Sequence, residues 1–337
     1  METNNKDSIQ QQFLKKIEDI IPSNSSLVYE LSDALDVSND SAYRRIRGET
    51  ALSIGDVIKL CDHFKISFDS FSHSESGHVT FSYTKMNKEE HSFEEYLSSM
   101  ISDLKIIKSA KDSMIIYAAE DIPIFHNYRY PVLSAFKMFY WMKSIMNISS
   151  LENKKFDSSK ISDKMKDLGK QIIALYTSTP SVEIWTDSTI QSAIKQISFY
   201  WNSGMFSSAE DAIMVCSELK LAISDIQKQA ELGTKFISEE MKNVNKGNYS
   251  VYFSEIEVTN NCVLVSLGNT KQVYLGHQTF NTMATANINY CNEIEQWLNN
   301  IIKKSTLISG ISETHRYQFF RKAFNAIDGL INKINES

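Results

Sequence analysis

Leu35-Asp36-Val37-Ser38-Asn39-Asp40-Ser41-Ala42-Tyr43-Arg44-Arg45-Ile46-Arg47-Gly48 reads as a tight turn followed by a short arginine-bearing helix. With side chains advancing by about 100° per residue, Asp40, Tyr43, Arg44 and Arg47 fall in one outward stripe while Ala42 and Ile46 point the other way. Such a helix packs with one face and offers the other to a partner. Ser38 suits an N-cap, because its hydroxyl accepts from an unpaired amide of the first turn. Gly48 suits a stop, because glycine tolerates the left-handed conformation that closes helices. Upstream, Leu27, Leu31, Ala34 and Leu35 recur at helical spacing, so a second short helix ends three residues before the arginine helix begins. Two short helices about a tight turn make the helix-turn-helix arrangement that presents its second helix to DNA.

Residues 27 to 71 resemble the Cro/CI-type (XRE-like) helix-turn-helix domain of phage repressors and their bacterial relatives. Leu35-Asp36-Val37-Ser38 matches the family's Leu-Gly-Val-Ser turn, and Arg44 to Gly48 matches the end of its recognition helix. Leu52-Ser53-Ile54 through Phe71 matches the following helix, with Ile66-Ser67-Phe68-Asp69 in place of the Val-Ser-Leu-Asp tail. The turn glycine is replaced by Asp36, a residue type that visits the left-handed region at modest cost. Ser32 stands where the family packs an alanine, and Val28 where it often carries a phosphate-contacting glutamine. The resemblance implies a sequence-specific DNA-binding transcriptional regulator with residues 39 to 47 in the major groove. It also implies a homodimer, since one such domain reads only a half-site.

Composition bounds the rest. With 337 residues the chain is too long for a lone DNA-binding module and predicts two domains, and 42% hydrophobic content suffices for ordinary cores. No run approaches the roughly 20 apolar residues of a membrane span, and Met1 to Asp7 lacks a signal peptide's apolar segment, so the expectation is a cytoplasmic protein without membrane partners. Cys61, Cys216, Cys262 and Cys291 are widely spaced, without metal-ligand pairing, and read as buried thiols. His73 and His78 likewise lack acid or cysteine partners at ligand spacing. No cofactor or metal is expected.

Charge narrows the DNA reading. Residues 1 to 75 hold five lysines and three arginines against thirteen acids, a net of −5 out of the chain's −6. Non-specific DNA affinity comes from basic residues displacing counterions, so this domain is not a tight general DNA binder. The local potential of Arg44, Arg45 and Arg47 carries the interaction instead. Arg44 and Arg47 can donate to guanine N7 and O6 or clasp phosphate, and Asn39 can pair with adenine from the first turn. Tyr43 suits a thymine methyl or a phosphate. Asp40 either accepts from cytosine N4 or places favourable charge at the helix N-terminus. Arg45, on the flank, is expected at backbone phosphate, with Ser38 and Ser41 at the head of the helix.

Around this element Gln10 to Ile21 predicts a helix with Phe13, Ile17, Ile20 and Ile21 inward. Ser53-Ile54-Gly55-Asp56 resembles a capping box that opens a helix facing Val57, Leu60, Cys61 and Phe64 to the core, with Phe68 and Phe71 closing the bundle. Residues 1–72 therefore form the DNA-binding domain, the polar run near 73–90 a linker, and 91–337 a second domain. There Phe93 to Lys108, Tyr130 to Met146, Ser159 to Tyr176, Asp187 to Trp201 (capped by Asp187 or Ser188), Ala209 to Leu232, Asn287 to Lys304 and Ser312 to Ile334 read as helices. Met114 to Ala119 reads as a strand buried on both faces, and Val182 to Trp185, Tyr249 to Val258, Cys262 to Leu267 and Gln272 to Leu275 as further strands. Asn260-Asn261 and Gly268-Asn269-Thr270 carry hairpin chemistry. The fold class expected is a mainly α helix-turn-helix bundle followed by a larger mixed α/β domain.

The second domain lacks a phosphate loop, a dinucleotide fingerprint, a His-Glu-x-x-His helix and a Gly-x-Ser-x-Gly elbow, and is not expected to be an enzyme. Glu120 and Asp121, at a strand's carboxyl end, either serve as a general acid and base or merely end the strand. His126, Tyr128, Arg129 and Tyr130 precede an apolar helix bearing Phe136, Phe139, Tyr140 and Trp141. Aromatics with polar tips beside a cation suit a pocket for an anionic or flat effector, or else the loop simply packs over a core helix. The order of elements is loosely similar to sensor domains related to the phospholipase D fold, without that superfamily's His-x-Lys pattern. The expected partners are double-stranded DNA, a second copy of the chain, and a small-molecule effector or protein for the second domain. Two other readings are open: a protein-interaction adaptor in place of the DNA reader, and an unrecognised enzyme in the second domain.

Overall fold

The computed structural model describes residues 8–21, 25–64, 66, 78–87, 89–157, 162–238 and 247–336. It divides into two compact units, Met1–Phe81 with Thr285–Tyr290 and Ser82–Ala284 with Cys291–Ser337.

Among the described residues the first unit holds four helices, α1 Ile9–Ile20, α2 Leu27–Leu35, α3 Asn39–Ile46 and α4 Ile54–Phe64. Each starts where the sequence supplies a cap. Ser8 and Gln11 form a reciprocal capping box on α1, Ser26 accepts from Tyr29 N, and Ser38 accepts from Ser41 N at 3.3 Å. On α4 the Ser53 amide donates to the Asp56 carboxylate and the Asp56 amide to the Ser53 hydroxyl, both at 3.1 Å. Between α2 and α3 Asp36 occupies the left-handed region at φ 53°, where the resembling family uses glycine. Phe13, Leu14, Ile17, Leu27, Leu31, Leu35, Ala42 and Leu60 form one buried cluster, joined by Val37, Ile46, Leu52 and Ile66. Burying such aliphatic side chains contributes about 1.5–3 kcal/mol each, which is what holds helices this short together. Residues 67–77, including Phe68, Phe71 and His73, lie outside the described residues.

The second unit is built on one eight-stranded sheet in the order β1-β7-β6-β5-β2-β3-β4-β8. Its strands are β1 Ser82–Tyr83, β2 Ser113–Ala119, β3 Ser181–Trp185, β4 Tyr249–Phe253, β5 Cys262–Leu267, β6 Thr270–His277, β7 Asn281–Thr285 and β8 Thr306–Leu307. The central three, β2, β3 and β4, are parallel, and β5 and β8 flank them antiparallel. Parallel neighbours require long crossovers, and here these are helical. After α5 Glu90–Ser109, helices α6 Ile124–Asn127, α7 Pro131–Tyr140 and α8 Asp163–Ser178 join β2 to β3. Helices α9 Asp187–Asn202 and α10 Ala209–Leu232 join β3 to β4, and α11 Ile288–Lys304 and α12 Glu313–Asn335 close the chain. Ile115, Tyr117 and Ala119 of β2, Trp185 of β3 and Val251 of β4 share one buried core with residues of α5 to α10 and α12. Alternate positions Ala118, Ile184, Leu264 and Val273 are buried as well, so the sheet's central strands are covered on both faces. The mixed α/β class is as expected from the sequence.

Several expectations are corrected. Within 73–90, read as linker, Ser82–Tyr83 pairs antiparallel with β7 and belongs to the second unit. Asn260-Asn261 makes no hairpin, because β4 and β5 lie apart with β2 and β3 between them, and Asn261 instead accepts from the Glu120 and Asp121 amides. The helix from Tyr130 loses its α register at Trp141–Ile145, a π-helical turn. Thr186, not Asp187 or Ser188, is the N-cap of α9. Met114 is 37% exposed, so β2 is covered on both faces only past its first turn of chain. Cys61 is half-buried, whereas the other three thiols are buried. Among the described residues no helix is long and apolar enough to cross a membrane.

Candidate nucleic-acid interface

Helix α3 is held at both ends. At its start lies the Ser38 cap, and at its end Gly48, at φ 78°, turns the chain so that Glu49 N donates to Arg44 O at 2.9 Å. From α1, Gln10 clamps the exit. Its amide nitrogen donates to Arg45 O and Thr50 O, both at 2.8 Å, and its carbonyl accepts from Leu52 N at 2.9 Å. Ala42 is fully buried and Ile46 packs on the core, so the helix faces outward through the residues that its periodicity predicts. Asn39 and Asp40 are exposed, as are Tyr43 at 52% and the side chains of Arg44 and Arg47 at 59% and 58%.

Arg45 departs from its expected role. Its guanidinium turns back onto Ser41, donating to the hydroxyl at 2.5 Å and the carbonyl at 3.3 Å, and lies 3.5 Å from the Asp56 carboxylate. Only 15% of that side chain is exposed. It straps α3 to α4, with the Ser41 hydroxyl and carbonyl as its acceptors. Burial works against ionising Asp56, but the Ser53 amide and hydroxyl and Arg45 outweigh it and hold the carboxyl below its usual range. Glu49, which no motif reading singles out, carries a carboxylate 3.1 Å from Arg47 Nε and 3.8 Å from Arg44 Nε.

In the second unit the predicted effector residues lie in different settings. His126 is buried, its Nε2 2.8 Å from Glu183 Oε1, and Tyr128 is buried with its hydroxyl unpartnered among the described residues. Arg129 pairs with Asp225 at 2.9 Å, donates to Phe236 O at 3.2 Å and lies over the Phe236 ring. The Tyr130 hydroxyl donates to the Asp225 carboxylate, with Leu221 O a competing acceptor at 3.1 Å. Arg129 and Tyr130 thus meet at Asp225, while His126 and Tyr128 enter the core. The His126 ring, the Arg129 guanidinium and the Tyr130 hydroxyl all face internal partners rather than a shared pocket. A cleft of about 410 Å³ lies elsewhere, lined by Tyr83, Lys85, His277 and Asn281 among others.

Glu120 is exposed, and burial together with Asp121 raises its carboxyl above the ordinary range. Asp121 meets the buried Lys137 ammonium at 2.7 Å and the Gln196 amide at 3.1 Å. The pair serves as a tether between β2, α7 and α9.

The most charged interior feature is Glu183, in the middle of β3. Its carboxylate is fully buried and faces His126 Nε2 at 2.8 Å. It accepts from Tyr176 at 2.5 Å, Trp185 Nε1 at 2.8 Å and Tyr249 at 2.9 Å. Burial alone would raise its pKa, but His126, Tyr176 and Lys235 prevail and lower it to about 2. Lys235, also buried, donates to Thr179 O at 2.5 Å and Ser181 Oγ at 2.7 Å and lies over the Tyr176 ring. Its burial lowers the ammonium to about 7 against the attraction of Glu183. An acid inside the apolar run Ser181-Val182-Glu183-Ile184-Trp185 was the available signal, although its partners come from four other segments. Among the described residues no cluster of acid, histidine and cysteine side chains could hold a metal ion. No family model, curated protein or solved structure matches the chain.

Proposed function

We propose that the chain is a sequence-specific DNA-binding transcriptional regulator that reads the major groove with α3. The observation that carries this reading is the exposed stripe of Asn39, Asp40, Tyr43, Arg44 and Arg47 on a capped helix whose opposite face is buried. Arg44 and Arg47 supply the base or phosphate contacts, Tyr43 and Asn39 flank them, and Ser38 orients the first turn. In this reading Arg45 and Ser41 fix the helix to its support. The second unit senses an effector or partner and joins two copies, so that two α3 helices reach half-sites one helical turn apart. The protein acts in the cytoplasm on double-stranded DNA, and no reaction forms part of this reading.

The acidic balance of the first 75 residues makes binding weak for a single copy, and its salt dependence comes from the few arginine contacts of the paired copies that displace counterions. Fluorescence anisotropy of the full chain on labelled duplex tests this. Binding is expected at about 50 mM salt and to weaken by at least tenfold at about 200 mM. The double variant Arg44→Ala, Arg47→Ala should lose it while keeping the wild-type melting temperature. Duplex binding unaffected by that double change would sink the assignment to α3. A chain that binds no duplex at any salt would favour the adaptor reading.

A further inference from the structure

Glu49 is placed by the helix end rather than by the helix. With Gly48 in the left-handed region, Gly48 N donates to Arg45 O at 3.1 Å, and Glu49 and Thr50 N both donate to Arg44 O at 2.9 and 3.2 Å. The Glu49 carboxylate is thereby brought beside the last turn of α3. Arg47 meets it side-on, with Nη2 donating to Oε2 at 3.3 Å and Nε lying 3.1 Å from Oε1 as an ion pair.

A guanidinium carries five N–H donors in a fixed plane. The Nε side of that plane lies against the carboxylate, which takes one donor of Nη2. Glu49 leaves Nη1 and the second Nη2 donor to pair with guanine N7 and O6. Charge selects in the same direction. An adjacent carboxylate offsets the attraction of Arg47 for an anionic phosphate more than its hydrogen bonding to a neutral base edge.

We propose that Glu49 is a positioning residue that fixes the Arg47 guanidinium for one guanine in each half-site and discourages its use on phosphate. The inference rests on the DNA-binding reading above. Arg47 and Glu49 are 58% and 49% exposed, and ion pairs so exposed contribute little to folding, so Glu49→Gln should leave the melting temperature unchanged.

The experiment selects duplexes from a random pool with full-length wild type, Glu49→Gln and Arg47→Ala, sequences what is retained, and measures affinity for the unselected pool against salt. Wild type should enrich a guanine at one position of each half-site, and Arg47→Ala should abolish that preference. Glu49→Gln should keep binding, lower the guanine preference at that same position about tenfold, and bind the unselected pool more tightly with a salt slope steeper by about one. A Glu49→Gln protein with the wild-type preference overturns the proposal, as does one weakened equally on every duplex or altered at a different position. Those outcomes leave the DNA reading standing. A wild-type chain that enriches no duplex overturns both.

Discussion

Glu183 and Lys235 place opposite charges in a core where neither reaches water, and their pKa displacements give each a defined pH signature. Glu183 is held at about 2 in the folded chain against an ordinary 4.5, so the folded state binds fewer protons than the unfolded one between those values. Its stabilisation is complete above pH 4.5 and is lost as pH falls toward 2. Replacing it by Gln, which cannot hold the charge that His126 and Lys235 face, should cost about 3–5 kcal/mol in urea unfolding and flatten this acid limb. Lys235 behaves oppositely. Its ammonium falls from 10.5 to about 7, so the unfolded chain binds the extra proton across that window and stability rises with pH through it. Urea midpoints measured between pH 7 and about 8.5, below the range where unfolded thiols and phenols ionise, should climb for wild type and stay flat for Lys235→Met; a flat wild-type profile would contradict the buried-ammonium account. In the first unit, Gln10→Ala should cost about 1 kcal/mol, because it leaves three half-buried backbone groups without their partner. Residue-scale legibility was uneven. The Ser38 cap, the outward Arg44 and Arg47 and the inward Ala42 follow from helical periodicity alone, whereas Arg45 turns inward because Asp56 arrives from a different helix.

Elements whose periodicity and caps agree locally were legible nearly to the residue. Helix α10 spans Ala209–Leu232 between Ser208, which accepts from Asp211 N, and Gly233 at φ 62°, and β5 spans Cys262–Leu267 as its apolar run predicts. What sequence leaves open is pairing. The polar strand β7, Asn281–Thr285, has no apolar alternation and exists because β6 and β1 flank it. Its connection to β6 passes through Gln278 and Thr279 at φ 50° and 73°, a left-handed pair that asparagine and glycine adopt more readily. Exchanging the two for Asn-Gly should raise stability by about 1–2 kcal/mol, read as a higher calorimetric melting temperature, and a lower one would show the turn to be relaxed. Helix α8 has the converse constraint. A Cβ on Gly169 would lie 2.7 Å from Tyr128 Cδ1, so Gly169→Ala should force the buried ring aside and cost about 1–3 kcal/mol. The same contact explains why Tyr128, expected at an effector pocket, is a core residue.

At the scale of the whole molecule, a small acidic helical unit precedes a large mixed α/β unit, and the two carry different parts of the proposed function. The polar run after residue 72 breaks the helical periodicity, but the edge strand β1 is too short to leave a pattern, and no sequence pattern marks Thr285–Tyr290 as part of the first unit. With a net −5 over residues 1–75, the account places sequence discrimination in α3 and requires a second copy for affinity. Selection of duplexes from a random pool by the full-length wild-type chain tests that claim most directly. The account predicts an enriched palindrome with guanine-containing half-sites about one helical turn apart. Failure to enrich any sequence at low salt would contradict it.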